Sequence, residues 1–175
     1  SNWSSISIKR KRLVKSRNLP AGEWNLVKVN GTISLLGLSK KQFVRLTENG
    51  TKAMLVGNVS SILNTQYVGE EQLFFLNQQN TVYVISGTGT ILGQFNSTVT
   101  SIDDAAIITL PNGKTVVGII DGIANNCYIY TIRGNELNKE SYEGSNKIAF
   151  QRQTDGTILL VSQANGYLIR YPLNY

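Results

Sequence analysis

KIAFQRQTDGTILLVSQANGYLIRY, residues 147–171, decides the fold class. Three short runs rich in β-branched, aromatic and aliphatic residues sit here: Lys147 to Arg152, Thr157 to Ser162 and Tyr167 to Tyr171. Two turns separate them, Thr154-Asp155-Gly156 and Asn165-Gly166. Asn, Asp and Gly tolerate the positive φ that tight hairpins need. Val, Ile, Tyr and Phe suit a pleated, half-buried surface. The stretch therefore reads as three antiparallel strands joined by two hairpins.

The same grammar recurs upstream. Trp24 to Val29, Asn30-Gly31 and Thr32 to Leu36 form one pair of apolar runs about a turn. Leu73 to Leu76 and Thr81 to Ile85 flank Asn77 to Asn80, and Thr115 to Ile120 and Cys127 to Ile132 flank a turn ending at Asn125-Asn126. The turn asparagines 30, 80, 126 and 165 are spaced by 50, 46 and 39 residues. A further strand is expected before each pair: Ile6 to Lys15, Ser61 to Tyr67, Ala105 to Leu110 and Lys147 to Arg152. A fourth is expected after the first three pairs: Gln42 to Leu46 with an extra hairpin to Val56, Ser97 to Ile102, and Leu137 to Tyr142. Phe74-Phe75 alternates faces on its strand, one ring for the core and one for packing between repeats.

Four repeats of about four antiparallel strands make one all-β domain over residues 1–175. A repeat of about 40 to 50 residues with four strands marks a propeller blade. The expected blades are 6–60, 61–102, 103–144 and 145–175. The last lacks its final strand, which residues 1–8 would supply, leaving no free edge. A small β-propeller, four-bladed or part of a larger one, is the preferred reading. A β-sandwich or barrel is the alternative, and a trefoil a distant third.

At these residues the chain resembles propeller repeat proteins. Residues Thr154 to Val161 followed by Asn165 to Tyr171 look like the last strands of a WD-type or pyrroloquinoline-quinone-type blade. Four blades in this length are similar to the hemopexin fold. Ile102-Asp103-Asp104-Ala105-Ala106 and Lys147-Ile148-Ala149-Phe150 resemble the openings of hemopexin blades. The Trp-Asp dipeptide is absent, and a single Cys cannot form the hemopexin disulfide. The resemblance implies a recognition scaffold and assigns no functional residue.

Composition narrows the chemistry. There is no His, which removes Ser-His-Asp and Cys-His catalysis and most zinc sites. Cys127 lies in an apolar run and reads as a small buried hydrophobe. Gly87-Thr88-Gly89-Thr90 lacks the ending of a phosphate loop and reads as a hairpin turn. Glu70-Glu71 reads as a solvated turn. No cofactor is expected. No apolar run approaches the roughly 20 residues of a membrane span. Five Asn-x-Ser/Thr sequons, at Asn2, Asn30, Asn49, Asn58 and Asn96, lean toward an exported protein.

The net charge of +6 comes from 17 basic and 11 acidic residues. Lys9, Arg10, Lys11, Arg12, Lys15 and Arg17 fall within nine positions, and the remainder is neutral. Such a strip attracts phosphate, nucleic acid or anionic lipid head groups. The structural alternative is an edge strand whose charges block aggregation. Asp103-Asp104 and Asp121 offer carboxylates for a metal or for glycan hydrolysis, or serve as turn formers.

The expected function is non-enzymatic: an interaction module taking a protein or glycan partner on its loops. The alternatives are a polyanion or nucleic-acid binder using Lys9 to Arg17 and a carboxylate-dependent glycan hydrolase.

Overall fold

The computed structural model describes residues 2–7, 12–29, 32–47, 52–134 and 142–174. Among these the chain is all-β. β1 (Asn2–Ser7) and β2 (Arg12–Asn18) form a two-stranded hairpin. Four antiparallel sheets then follow in chain order. The first contains β3 (Glu23–Val29), β4 (Thr32–Ser39), β5 (Gln42–Thr47) and β6 (Lys52–Val56). The second contains β7 (Ser61–Val68), β8 (Glu71–Gln78), β9 (Thr81–Ser86) and β10 (Ile91–Asn96). The third holds β11 (Asp104–Thr109), β12 (Thr115–Asp121) and β13 (Asn126–Thr131). After β13 the chain lends β14 (Arg133–Gly134) to the second sheet, parallel to β10, and β15 (Tyr142–Glu143) then closes the third. The fourth sheet has β16 (Ser145–Arg152), β17 (Ile158–Ala164) and β18 (Tyr167–Pro172). Among the described residues no sheet closes on itself as a barrel, and the arrangement fits a small propeller.

The sheets stack face to face, and each apolar cluster lies between two neighbours. Leu36 and Phe43 of the first sheet meet Phe74, Leu76 and Ile85 of the second. Phe75, Val84 and Phe95 of the second meet Val117, Ile119 and Tyr130 of the third. Val116, Ile120 and Ile129 of the third meet Ile148, Ile158 and Leu160 of the fourth. Thus Phe74 and Phe75 both pack between sheets, on opposite faces of β8. This explains the unbroken apolar runs: Leu73 to Leu76 and Val116 to Ile120 are buried throughout, because both faces of their sheets are covered. β17 instead alternates. Ile158 and Leu160 are buried, while Leu159 and Val161 face the more open side. Each fully buried Phe stabilises the stack by about 2–3 kcal/mol.

The structure corrects the expected strand frame in four places. Ile6 to Lys15 is not one strand opening the first sheet, since Ile6 pairs with Leu13 across a hairpin. The first sheet starts at Glu23, so Gln42 to Thr47 is its third strand and the extra hairpin to Val56 is its fourth. Asn30-Gly31, outside the described residues, therefore lies between the first and second strands. The turn equivalent to Asn80 and Asn165 is Lys40-Lys41. Lys carries no turn signal, which is why the Asn-based frame slipped. In the second sheet the fourth strand is Ile91–Asn96, and Ser97 to Ile102 is a connection whose Val99 and Ile102 are buried against the third sheet. Of Leu137 to Tyr142 only Tyr142 lies among the described residues, where it begins β15. Finally, Asn2–Ser7, the described part of residues 1–8, does not pair with the last sheet. β1 pairs with β2, and β17 is the only strand paired with β18 among the described residues.

Candidate functional site

The strand order sets two opposite ends. One carries the turns between β4 and β5, β8 and β9, β12 and β13, and β17 and β18. It also carries the connections from each sheet to the next. All three aspartates singled out in the sequence lie at this end.

They lie close together on and beside the paired strands β11 and β12, but each carboxylate has its own local contacts. Asp104 opens β11 and is 2% exposed. Its Oδ2 accepts the Ile148 backbone N–H at 2.9 Å, which ties the third sheet to the fourth. Its Oδ1 has no hydrogen-bond partner among the described residues, and the ammonium of Lys147, 79% exposed, stands 3.5 Å away. Asp103 is exposed, accepts from the Ser101 hydroxyl at 3.3 Å and lies against Gly122, where a Cβ would collide with its carboxylate. Asp121 folds back on its own turn, accepting the N–H groups of Ile123 and Ala124 at 3.0 and 3.1 Å. Each carboxylate thus serves a local turn or a link between sheets. Among the described residues no three His, Cys, Asp or Glu side chains group so as to hold a metal ion.

Lys9, Arg10 and Lys11 lie outside the described residues. Arg12, Lys15 and Arg17 fall on β2, paired opposite Ser7, Ser5 and Trp3. Cys127 is buried within hydrogen-bond distance of the Ser162 hydroxyl, at 3.4 Å. Burial pushes its thiol pKa up, against the smaller opposing effect of Ser162. Such a thiol is a poor nucleophile. Gly87 to Thr90 forms a hairpin turn between β9 and β10, with the Arg45 guanidinium donating to the Thr88 carbonyl at 2.8 Å from the neighbouring sheet. Among the described residues no helix is long and apolar enough to cross a membrane.

The two most exposed large apolar side chains among the described residues lie at hairpin tips. Ile123, between β12 and β13, is 78% exposed, and Tyr167, at the start of β18, is 74% exposed. Glu143-Gly144 joins their turns: the Gly144 N–H donates to the Asn125 carbonyl, and the Asn165 amide donates to Glu143 Oε1 at 2.7 Å. The opposite end has an open cleft of about 560 Å³ between the Pro111 turn, the Asp155–Thr157 turn and Pro172–Asn174. Asp155 there is held below the usual carboxylate range by the Thr157 N–H that it accepts. Sequence reasoning passed over Lys40-Lys41. The signal available was its place between two apolar runs, Leu35-Leu36 and Phe43-Val44.

No family model and no curated protein matches the chain. Solved structures similar to it include a protein of unknown function from Bacteroides caccae, 14% identical over 95% of this chain and 63% of that one, with a TM-score of 0.46. Another is a catalytically inactive virginiamycin B lyase from Staphylococcus aureus, solved with quinupristin. It is 17% identical over 94% of this chain and 60% of that one, with a TM-score of 0.43. The chain thus spans about three fifths of the length of these structures.

Proposed function

We propose that the chain is a non-enzymatic binding module that takes a protein or glycan partner on the hairpin tips at one end of its sheets. The observation that carries this reading is the division of labour among its polar groups. Asp104 and Asp121 are spent on links and turns, whereas Lys40-Lys41, Asn125 and Asn165 stand exposed at hairpin tips of the stacked sheets. Loops positioned by a rigid scaffold are where recognition is usually placed.

The test is a glycan array and a displayed-peptide library screened with the full chain. Saturable binding is expected, weakened about tenfold by replacing Ile123 and Tyr167 together with Ser. No binding to either collection refutes the reading. So does glycan turnover that stops in Asp104→Asn or Asp121→Asn.

A further inference from the structure

The tip between β4 and β5 uses residues that its backbone conformation disfavours. Ser39 pairs with Gln42, so the loop is Lys40-Lys41 alone, with φ of 51° and 59°. Positive φ at both central residues defines a type I′ turn, which Asn-Gly fills with least strain. The matching tip between β17 and β18 is Asn165-Gly166, at 50° and 81°. The other two tips place Gln79 at 57° and Asn125 at 53°. Lysine lacks the short amide by which Asn bonds to nearby backbone and tolerates this region. Relative to Asn and Gly, its distinguishing contribution is an ammonium group on a long stem.

The tip is held from behind. Val59 N–H donates to the Lys41 carbonyl at 2.9 Å, which brings exposed Asn58 and Ser60 beside it. Neither ammonium is paired with a carboxylate among the described residues. Two positive charges with no carboxylate partner among the described residues therefore stand on the hairpin, flanked by an amide and a hydroxyl. Gln79, Asn125 and Asn165 add further amides at the same end. Amides both donate and accept, which suits sugar hydroxyls.

We infer that Lys40-Lys41 is an anion-binding tip that takes the sulfate or carboxylate groups of an acidic glycan, with Asn58 and Ser60 beside it for sugar hydroxyls. This deepens the reading of the chain as a binding module and rests on it.

The experiment titrates the full chain at about 50 mM NaCl, where surface charge is weakly screened. The probes are a heparin hexasaccharide, an oligogalacturonate, a neutral dextran oligomer and duplex DNA. The first two separate sulfate from carboxylate. Lys40→Asn/Lys41→Gly is expected to weaken binding of at least one acidic oligosaccharide about tenfold. It should cut the slope of log affinity against log salt by about two. It should also raise the thermal midpoint by about 2–6 °C, because the new residues fit the turn. Lys40→Arg/Lys41→Arg retains the charges and is expected to keep the affinity within about threefold. A parallel pair of chains with Lys9 to Arg17 neutralised should show the same loss at the tip. Unchanged acidic-glycan affinity in the Asn-Gly variant overturns the inference, as does no binding of either acidic probe. Binding of dextran or of a peptide that survives the exchange ends this inference while the module reading stands. Duplex DNA bound more tightly than either glycan, and lost with the tip, overturns the glycan assignment.

Discussion

Replacing Asp104 with Ala should destabilise the fold by about 2–4 kcal/mol, although no catalytic role is assigned to it. The register of β16 against β17 shifts between Ser145 and Ile148, and the Ile148 N–H is directed to Asp104 on the neighbouring sheet. Ile148 is itself only 7% exposed, so removing the carboxylate leaves that N–H in largely apolar surroundings. A buried donor left unsatisfied costs about 1–3 kcal/mol, and a hydrogen bond to a charged group contributes about 1.5–3 kcal/mol. These two figures overlap and do not add in full. The Lys147 ammonium adds about 0.5 kcal/mol or less, because it is largely solvated and its 3.5 Å contact is screened. Asp104→Asn retains an acceptor oxygen and should cost about 1–2 kcal/mol. Lys147→Gln should cost under about 0.5 kcal/mol. Urea unfolding followed by circular dichroism measures all three, and Asp104→Ala should lower the thermal midpoint by about 5–15 °C. A loss below about 0.5 kcal/mol in Asp104→Ala would refute the link between the sheets. A Lys147→Gln variant as unstable as Asp104→Ala would show that the ion pair, not the N–H, carries the effect.

A Cβ at Gly93 would run into the Ile132 side chain and carbonyl where β14 joins the second sheet, so Gly93→Ala should cost about 2 kcal/mol. Ile132→Ala should recover part of that loss in a double-mutant cycle, and strict additivity would contradict the packing. Phe75→Ala should cost about 3–5 kcal/mol, whereas Leu159→Ala, on the open face of the last sheet, should cost under about 1 kcal/mol by the same urea assay. Burial raises the folded pKa of Cys127 above that of an ordinary thiol, so the unfolded chain ionises first. Stability should be fully present below about pH 8.5 and fall as pH rises from there, and Cys127→Ala should flatten that fall. Tyr171 is raised for the same reason, burial first and the nearby Glu143 second, and extends the decline above pH 10. A thiol reagent at neutral pH should label Cys127 only as the chain unfolds, and rapid labelling of the native chain would contradict its burial.

The strands were legible wherever turn chemistry and periodicity agreed. Residues 147–171 folded as read, with turns at Thr154-Asp155-Gly156 and Asn165-Gly166 between β16, β17 and β18. The frame failed where a turn lacked its usual residues. Lys40-Lys41 gives no local sign of positive φ, so the first repeat was aligned on Asn30-Gly31, one hairpin too early. Val99 and Ile102 look like strand residues because they are apolar. They are apolar because they plug the space between two sheets from a connecting segment. The local turn role of Asp121 was readable beside Gly122. Asp104 was not, because its partner is 44 residues away on another sheet.

By itself, therefore, the sequence determined the all-β class, the repeated hairpins, the absence of histidine chemistry and the local origin of the positive charge. These follow from residue type and short-range spacing, which act within a few residues. Tertiary structure decided which apolar faces meet, that the hairpin of β1 and β2 pairs with itself rather than with β18, and that Asp104 holds a backbone N–H. It also decided that two lysines occupy a glycine-like turn. Strand pairing and burial depend on groups far apart in the chain, and a strand's outward edge looks the same in sequence whether or not another strand covers it.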